Sequence, residues 1–244
     1  MLYERYNMDT LDEVFEQLQH QQNAEDAFAV IKNAAAALGF PYCTYGRRSA
    51  MPLARPEVQI LSNYPVAWQQ RYIERGYAAR DPSVRRAARA KQPVIWQAKE
   101  ESEELQFWDE AVSFGLRYGW AQASYDCSSN LGLLSLVRET EPITLAEVRS
   151  RRAACAALAE AAHLHLMPLL AGAPPIALTA DRLTSREREV LTWTADGKTA
   201  FEIGQILGTA ERTVKFHLQN AVVKLDARNK THAATKALLL GWLV

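Results

Sequence analysis

Apolar positions recur along this chain with two different periods. Leu11, Val14, Phe15 and Leu18 keep the i, i+3, i+4, i+7 spacing that gathers side chains on one face of a helix. Residues 24–38 are alanine-rich and helical, and Gly39 stands where a left-handed helix end is expected. Short β-prone runs follow at 42–46, 58–63, 93–96, 120–126 and 132–137. The last two flank Cys127-Ser128-Ser129-Asn130, which reads as a hairpin turn. Further helices are predicted over 66–75, 82–90, 103–114 and 144–167, the last ended by Pro168. The pattern predicts an α+β region of about five strands, largely antiparallel, layered between helices.

Ala171-Gly172-Ala173-Pro174-Pro175 marks a boundary, because small residues and two prolines fit an exposed linker. The expected division is a first domain over 1–170, a linker over 171–180 and a second domain over 181–244. At 244 residues the chain suits one large domain or two ordinary ones, and 48% hydrophobic content argues against disorder. Net charge is zero, but it is unevenly spread. From Ile176 onward 10 Lys/Arg stand against 7 Asp/Glu, a net +3, and the rest carries −3. A basic tail is a mild pointer to nucleic acid. No signal peptide is read at the start, and no run approaches 18 uninterrupted apolar residues, so a cytoplasmic protein without a membrane span is expected. Three cysteines, Cys43, Cys127 and Cys155, lack metal spacing and read as reduced thiols.

The second domain is the most informative segment. Thr184-Ser185-Arg186-Glu187 and Thr199-Ala200-Phe201-Glu202 are both capping boxes, each opening a helix. Gly197 follows the first helix, and Gly208 turns the chain after the second, whose inward residues are expected to be Ile203, Ile206 and Leu207. A third helix over 211–225 buries Val214, Leu218, Ala221, Val222 and Leu225, while Arg212, Lys215 and Gln219 share its other face. Two short helices joined by a glycine turn fit a helix-turn-helix whose second helix enters the major groove. A plain three-helix bundle with a solvated face shows the same pattern.

The residues 183–191, Asp196-Gly197-Lys198-Thr199, Glu202-Ile203, Thr213-Val214-Lys215-Phe216-His217 and 224–230 resemble the LuxR-type DNA-binding domain over about 60 residues. The resemblance implies structural roles for Glu187, Leu191 and Gly197. It also implies base contacts from Lys215 and Gln219, with Arg212, Thr213 and His217 completing the DNA-binding set. One departure stands at Thr209-Ala210, where relatives often carry Ser. With Ala210 as N-cap the helix start loses about 1 kcal/mol unless Thr209 substitutes.

In the first domain Tyr64, Trp68, Tyr72, Tyr77 and Trp96 form an aromatic cluster with Asp81 among them. Tyr64, Trp68 and Tyr72 are four apart and can stripe one helix face. Aromatic core packing is one reading. The other is a ligand pocket, since indole N–H, phenol and carboxylate groups each need a partner when buried. The run Ser62-Asn63-Tyr64-Pro65…Trp68…Tyr72…Asp81-Pro82…Trp96 resembles the acyl-homoserine-lactone-binding domain of quorum-sensing LuxR-type receptors. Together with Gly39-Phe40, Trp108…Ala111, 115–119 and Leu134-Ser135-Leu136 the resemblance covers residues 10 to 168. It implies an α/β/α sandwich around an antiparallel sheet, followed by an all-α helix-turn-helix domain. It also implies that Trp68 donates to the lactone carbonyl and Asp81 accepts the ligand amide. Tyr72 and Ser135 bond the acyl carbonyl side, Tyr64 and Trp96 pack around the ring, Thr44 adds a polar contact, and Gly119 keeps the site open.

The two resemblances together imply a non-enzymatic, cytoplasmic quorum-sensing transcription factor that binds an acyl-homoserine lactone and no cofactor. Expected partners are inverted-repeat double-stranded DNA and a second copy of the chain, with RNA polymerase left open. The candidate sensor-domain seam is the helix at 144–167, through Leu145, Val148, Leu158, Ala161 and Ala162; the last helix, 231–242, is the candidate for pairing the DNA-binding domains. A phosphorylation-driven response regulator would need parallel βα units and an acidic pocket, and a lactone hydrolase a nucleophile elbow or a His/Asp metal cluster; neither is seen. His163-Leu164-His165 cannot ligate one metal from a helix and reads as surface or interface histidines. Glu100, Glu101, Glu103 and Glu104 read as a solvated helix start.

Overall fold

A computed structural model describes residues 8–90, 92–98, 104–172 and 183–243. The chain divides into two compact units that meet in sequence at Ala173–Pro174. The expected linker therefore lies almost wholly outside the described residues, as do Glu100, Glu101 and Glu103 of the acidic run.

The first unit begins with two helices, α1 (Met8–Gln19) and α2 (Ala24–Ala37), the second capped by Asn23 accepting from the Asp26 amide. Five strands follow: β1 (Tyr42–Arg48), β2 (Val58–Ser62), β3 (Val94–Gln97), β4 (Tyr118–Tyr125) and β5 (Leu131–Arg138). They form one sheet in the order β2-β1-β5-β4-β3, every pair antiparallel. All eight residues of the central β5 are buried, as a strand covered on both faces requires. Between strands lie α3 (Val66–Glu74), α4 (Pro82–Ala87) and α5 (Leu105–Ser113), and α6 (Leu145–Ala171) closes the unit.

Strand alternation splits the interior into two cores. Cys43, Tyr45, Trp120, Leu134 and Leu136 pack with α1, α2 and α6. Ala121, Leu133 and Val137 face the other way and pack with Trp68, Tyr77, Phe107 and Trp108. The result is the α/β/α sandwich expected, with the aromatic cluster confined to one side of the sheet.

Three expectations for α6 fail. Pro168 does not end it, because the helix continues to Ala171. Pro168 and Leu164, four residues earlier, are both exposed, so water can take the carbonyl the proline leaves unpaired. Of the five seam residues expected, Leu158, Ala161 and Ala162 are fully buried in the core and so cannot meet another chain, whereas Leu145 is 78% exposed. His163 is buried, not on the surface. Its Nδ1 lies 3.1 Å from the Tyr45 hydroxyl, and burial holds its pKa below the usual histidine value. Among the described residues α6 alone is long and apolar enough to cross a membrane, but its apolar face packs on the core.

The second unit contains α7 (Ser185–Ala195), α8 (Ala200–Ile206), α9 (Glu211–Lys224) and α10 (Lys230–Leu239). Both capping boxes form with their reciprocal bonds. Gly197 (φ 85°) and Gly208 (φ 63°) take the left-handed conformation their turns demand. Leu183, Val190, Leu191, Ile203, Val214, Leu218, Ala221 and Leu225 make the core, with Ala233, Ala237 and Trp242 from the chain end.

Candidate functional site

The first unit holds a cavity of about 480 Å³ between the sheet and helices α3 to α5. Seven of the eight expected ligand residues line it: Thr44, Tyr64, Trp68, Tyr72, Asp81, Trp96 and Ser135. They come from β1, β3, β5, α3 and the connections beside α3 and α4, so only the completed sheet brings them together.

Asp81 is the organising group. It precedes Pro82 at the start of α4 and caps that helix, its Oδ1 accepting from the Ser83 amide at 2.8 Å and the Ser83 hydroxyl at 2.6 Å. The other oxygen, Oδ2, accepts from the Tyr72 hydroxyl at 3.0 Å. Burial pushes the carboxyl pKa up, and these hydrogen bonds oppose the shift. Burial, together with the Asp81 charge, also drives the Tyr72 phenol well above its usual range, so it remains a donor.

Trp68 is 2% exposed and sits against Tyr72, Tyr77, Phe107 and Phe114, with ring centroids 5.6 to 5.9 Å away. No described residue accepts from its indole N–H. The Trp96 indole nitrogen is buried with no partner among the described residues. Thr44 and Ser135 are paired residues on β1 and β5 and so share the cavity face. The Thr44 hydroxyl is committed to the Leu61 carbonyl at 2.9 Å.

Two expectations need correction. Tyr64 is not on the helix with Trp68 and Tyr72: α3 starts at Val66, because Pro65 forces the residue before it into an extended conformation. Tyr64 reaches the cavity from that connection and packs edge-on to Tyr42 at 6.3 Å. Gly119 does not line the cavity. It pairs with Trp96 across β3 and β4, and a Cβ there would fall 2.1 Å from the Trp96 ring. Its contribution is to let that indole lie flat on the strand. Sequence reasoning did not place Phe107, Trp108, Ala111 and Leu116 at the cavity wall, although their apolar spacing on and after α5 was visible.

In the second unit α9 presents Arg212, Thr213, Lys215 and Gln219 to solvent, with His217 half-buried. Lys215 pairs with Glu211 at 2.7 Å, an exposed pair that a phosphate or base can displace at little cost. Phe216, 59% exposed beside His217, belongs to the same face and was not anticipated. Ala210 is the N-cap of α9, and no side chain caps that end, Thr209 included. Ile206 is 46% exposed rather than inward. At about 100° per residue, the buried face of α8 centres between Ile203, Leu207 and Gly204, and Ile206 falls outside it. Gly204 draws that face in, since a Cβ there would meet the Thr209 carbonyl at 2.8 Å.

Glu187 fastens this unit. Its carboxylate is 3% exposed and accepts from the Thr184 amide at 2.8 Å and from Lys224 at 2.7 Å. Burial raises its pKa, but the Lys224 ammonium and the Thr184 amide outweigh that and hold it below the usual carboxylate value. Leu191 is fully buried at the centre of the same core. Cys43 and Cys155 are buried with thiols pushed up to about 12, as inert packing groups should be, and Cys127 is exposed. Among the described residues no group of His, Cys, Asp and Glu has the arrangement of a metal site.

Two family descriptions match the chain: "Autoinducer binding domain" over residues 23–166 and "Bacterial regulatory proteins, luxR family" over 181–237. The transcriptional activator protein AnoR of Acinetobacter nosocomialis is 41% identical over 224 residues, which cover 91% of this chain and 94% of AnoR. The crystal structure of SdiA from Escherichia coli matches with a TM-score of 0.74 at 30% identity, covering 97% of this chain and 98% of that one. The crystal structure of CepR2 from Burkholderia cenocepacia, described as an N-acylhomoserine-lactone-dependent LuxR family transcription factor, matches 67% of this chain and 96% of its own. Its TM-score is 0.64 and its identity 48%.

Proposed function

The chain belongs to the LuxR family of autoinducer-binding transcriptional regulators, and from that premise we propose that its ligand is an N-acyl-homoserine lactone. The observation that carries this reading is the open valence around Asp81. A buried carboxylate already satisfied on one oxygen faces the cavity with the other, and Trp68, whose indole N–H has no acceptor among the described residues, lines the same cavity. A neutral amide-lactone supplies the complement: its N–H donates to Asp81, and its ring carbonyl accepts from Trp68. Tyr72 and Ser135 hold the acyl carbonyl side, and Tyr64 and Trp96 enclose the ring. Thr44 offers an acceptor lone pair only, because its proton is committed to Leu61.

Residues 1–170 are the sensor in this reading, 171–180 the linker and 181–244 the DNA-binding domain. Arg212, Thr213, Lys215, Gln219 and His217 contact operator DNA from α9, and Glu187, Leu191 and Gly197 hold the domain that presents them. Ligand that binds only the folded sensor adds stability by mass action, and so couples signal to the amount of active regulator. The chain acts as a cytoplasmic homodimer on inverted-repeat DNA, and it carries no catalytic group or cofactor.

The test is the melting temperature of the purified full chain across a panel of acyl-homoserine lactones. One or a few members raise it, and Asp81→Ala or Trp68→Phe removes the effect. No shift with any member overturns the ligand assignment and leaves the DNA-binding assignment in place. Catalytic loss of lactone during the incubation would overturn the receptor reading itself.

A further inference from the structure

Strand register divides the sheet face of the cavity into three rows. The first row is Ser62, Thr44 and Ser135, paired across β2, β1 and β5. Two residues along come Ile60, Gly46 and Leu133, and two further come Val58, Arg48 and Leu131, with Tyr125 opposite Leu131 on β4. Every one of these residues lines the cavity. The rows change character sharply. The first is hydroxyl-bearing and adjoins Asp81 and Trp68, while the second is apolar and the third is apolar with an arginine.

Gly46 is the odd residue in this floor. Glycine inside a strand weakens it and needs a reason. The reason here is not conformational, since its φ is not in the left-handed region, and not close packing, since a Cβ there would meet nothing within 4 Å. Its missing side chain instead leaves the middle row of the cavity floor open, between Ile60 and Leu133. We infer that Gly46 sets the ligand's chain length, opening a trough that takes an acyl tail of about ten to twelve carbons. The inference rests on the lactone reading above.

The length follows from the register. Four residues of antiparallel strand span roughly 13 Å from the first row to the third. An extended alkyl chain advances roughly 1.25 Å per carbon, given bonds of about 1.5 Å. With the acyl carbonyl held at Ser135 in the first row, about ten further carbons reach Leu131 and Val58. A tail of four to six carbons stops near the Gly46 row and leaves Val58 and Leu131 uncovered. Ile60 and Val58 are 46% and 49% exposed, which is apolar surface a longer tail would cover.

The experiment is titration calorimetry of the full chain with straight-chain acyl-homoserine lactones from four to fourteen carbons. Each methylene newly buried is worth a factor of roughly four in affinity. Affinity is expected to rise at least 100-fold from the shortest tails to an optimum at ten to twelve carbons. Gly46→Leu fills the middle row, and is expected to weaken the twelve-carbon ligand at least 30-fold while leaving four- to six-carbon ligands within three-fold. Gly46→Ala, a milder change that keeps the strand, should move the optimum in the same direction by one or two carbons. A wild-type preference for short tails, or an unchanged length ranking in both variants, overturns the inference and leaves the lactone reading intact. Failure of every lactone to bind the wild type overturns both.

Discussion

The two units treat their buried polar groups in opposite ways. In the second, the buried Glu187 is closed by the Thr184 amide and Lys224. In the first, around the cavity, Asp81 keeps capacity on Oδ2, and the indole nitrogens of Trp68 and Trp96 lack acceptors among the described residues. A buried polar group left unpaired costs about 1–3 kcal/mol, so a ligand that supplies the missing acceptor recovers that cost at the cavity wall. The buried carboxylate of the DNA-binding unit is closed by the protein itself, whereas that of the sensor keeps capacity toward the cavity.

The strongest way to break that contrast is at Asp81. Asp81→Ala removes the cap of α4 and the ligand acceptor together, and at least a 100-fold loss of ligand affinity is expected by calorimetry. Asp81→Asn keeps an acceptor for the cap and should recover part of the apo melting temperature with little of the affinity. The wild-type carboxyl also gives a pH signature of opposite signs. Its folded pKa is raised, so its contribution to apo stability is present at low pH and is lost as pH rises through that pKa. Ligand affinity does the reverse, falling as pH drops through the same value and the acceptor is protonated. Melting curves with and without ligand, taken from neutral into acid solution, should therefore converge.

Next in size is Gly119→Ala. The added Cβ collides with Trp96, and overpacking of this kind costs about 1–3 kcal/mol. Urea unfolding followed by tryptophan fluorescence should show both the loss and an altered native spectrum. In the closed unit, Lys224→Met strands the Glu187 carboxylate and should cost about 2 kcal/mol. Because the Glu187 pKa is lowered, its contribution holds above the unfolded pKa and disappears as pH falls through the folded one. The variant should lose that acid-dependent part of the unfolding curve. The smallest effect sharpens the comparison from the other side. Ala210→Ser supplies the missing cap of α9 and should stabilise the second unit by about 1 kcal/mol in thermal unfolding.

Legibility in the sequence tracks the reach of each interaction. Thr184 with Glu187 and Thr199 with Glu202 act over three residues, and both boxes formed as read. The five strands were legible as short β-prone runs, and a largely antiparallel sheet was expected from them. The Lys224 bond to Glu187 joins residues 37 apart, and nothing local announces it. The cavity rows depend on a register that pairs Gly46 with Leu133, so Ile60 and Leu133 could not be assigned to a wall. Pro168 misled because a rule about helix interiors met a position where water relieves the cost. Ile206 misled because a seven-residue helix is too short for spacing alone to fix its buried face.

The pairing of Gly119 with Trp96 also constrains how this sequence can drift. An alanine at 119 is excluded while the indole lies there, and a smaller ring at 96 would leave an unfilled gap over the glycine. Each single step carries a cost that a matched change at the other position relieves. Descendants of this chain that acquire a different aromatic wall should carry both changes or a third that shelters the intermediate. A library varying 96 and 119 jointly would then reach functional receptors that two separate single-site libraries never sample.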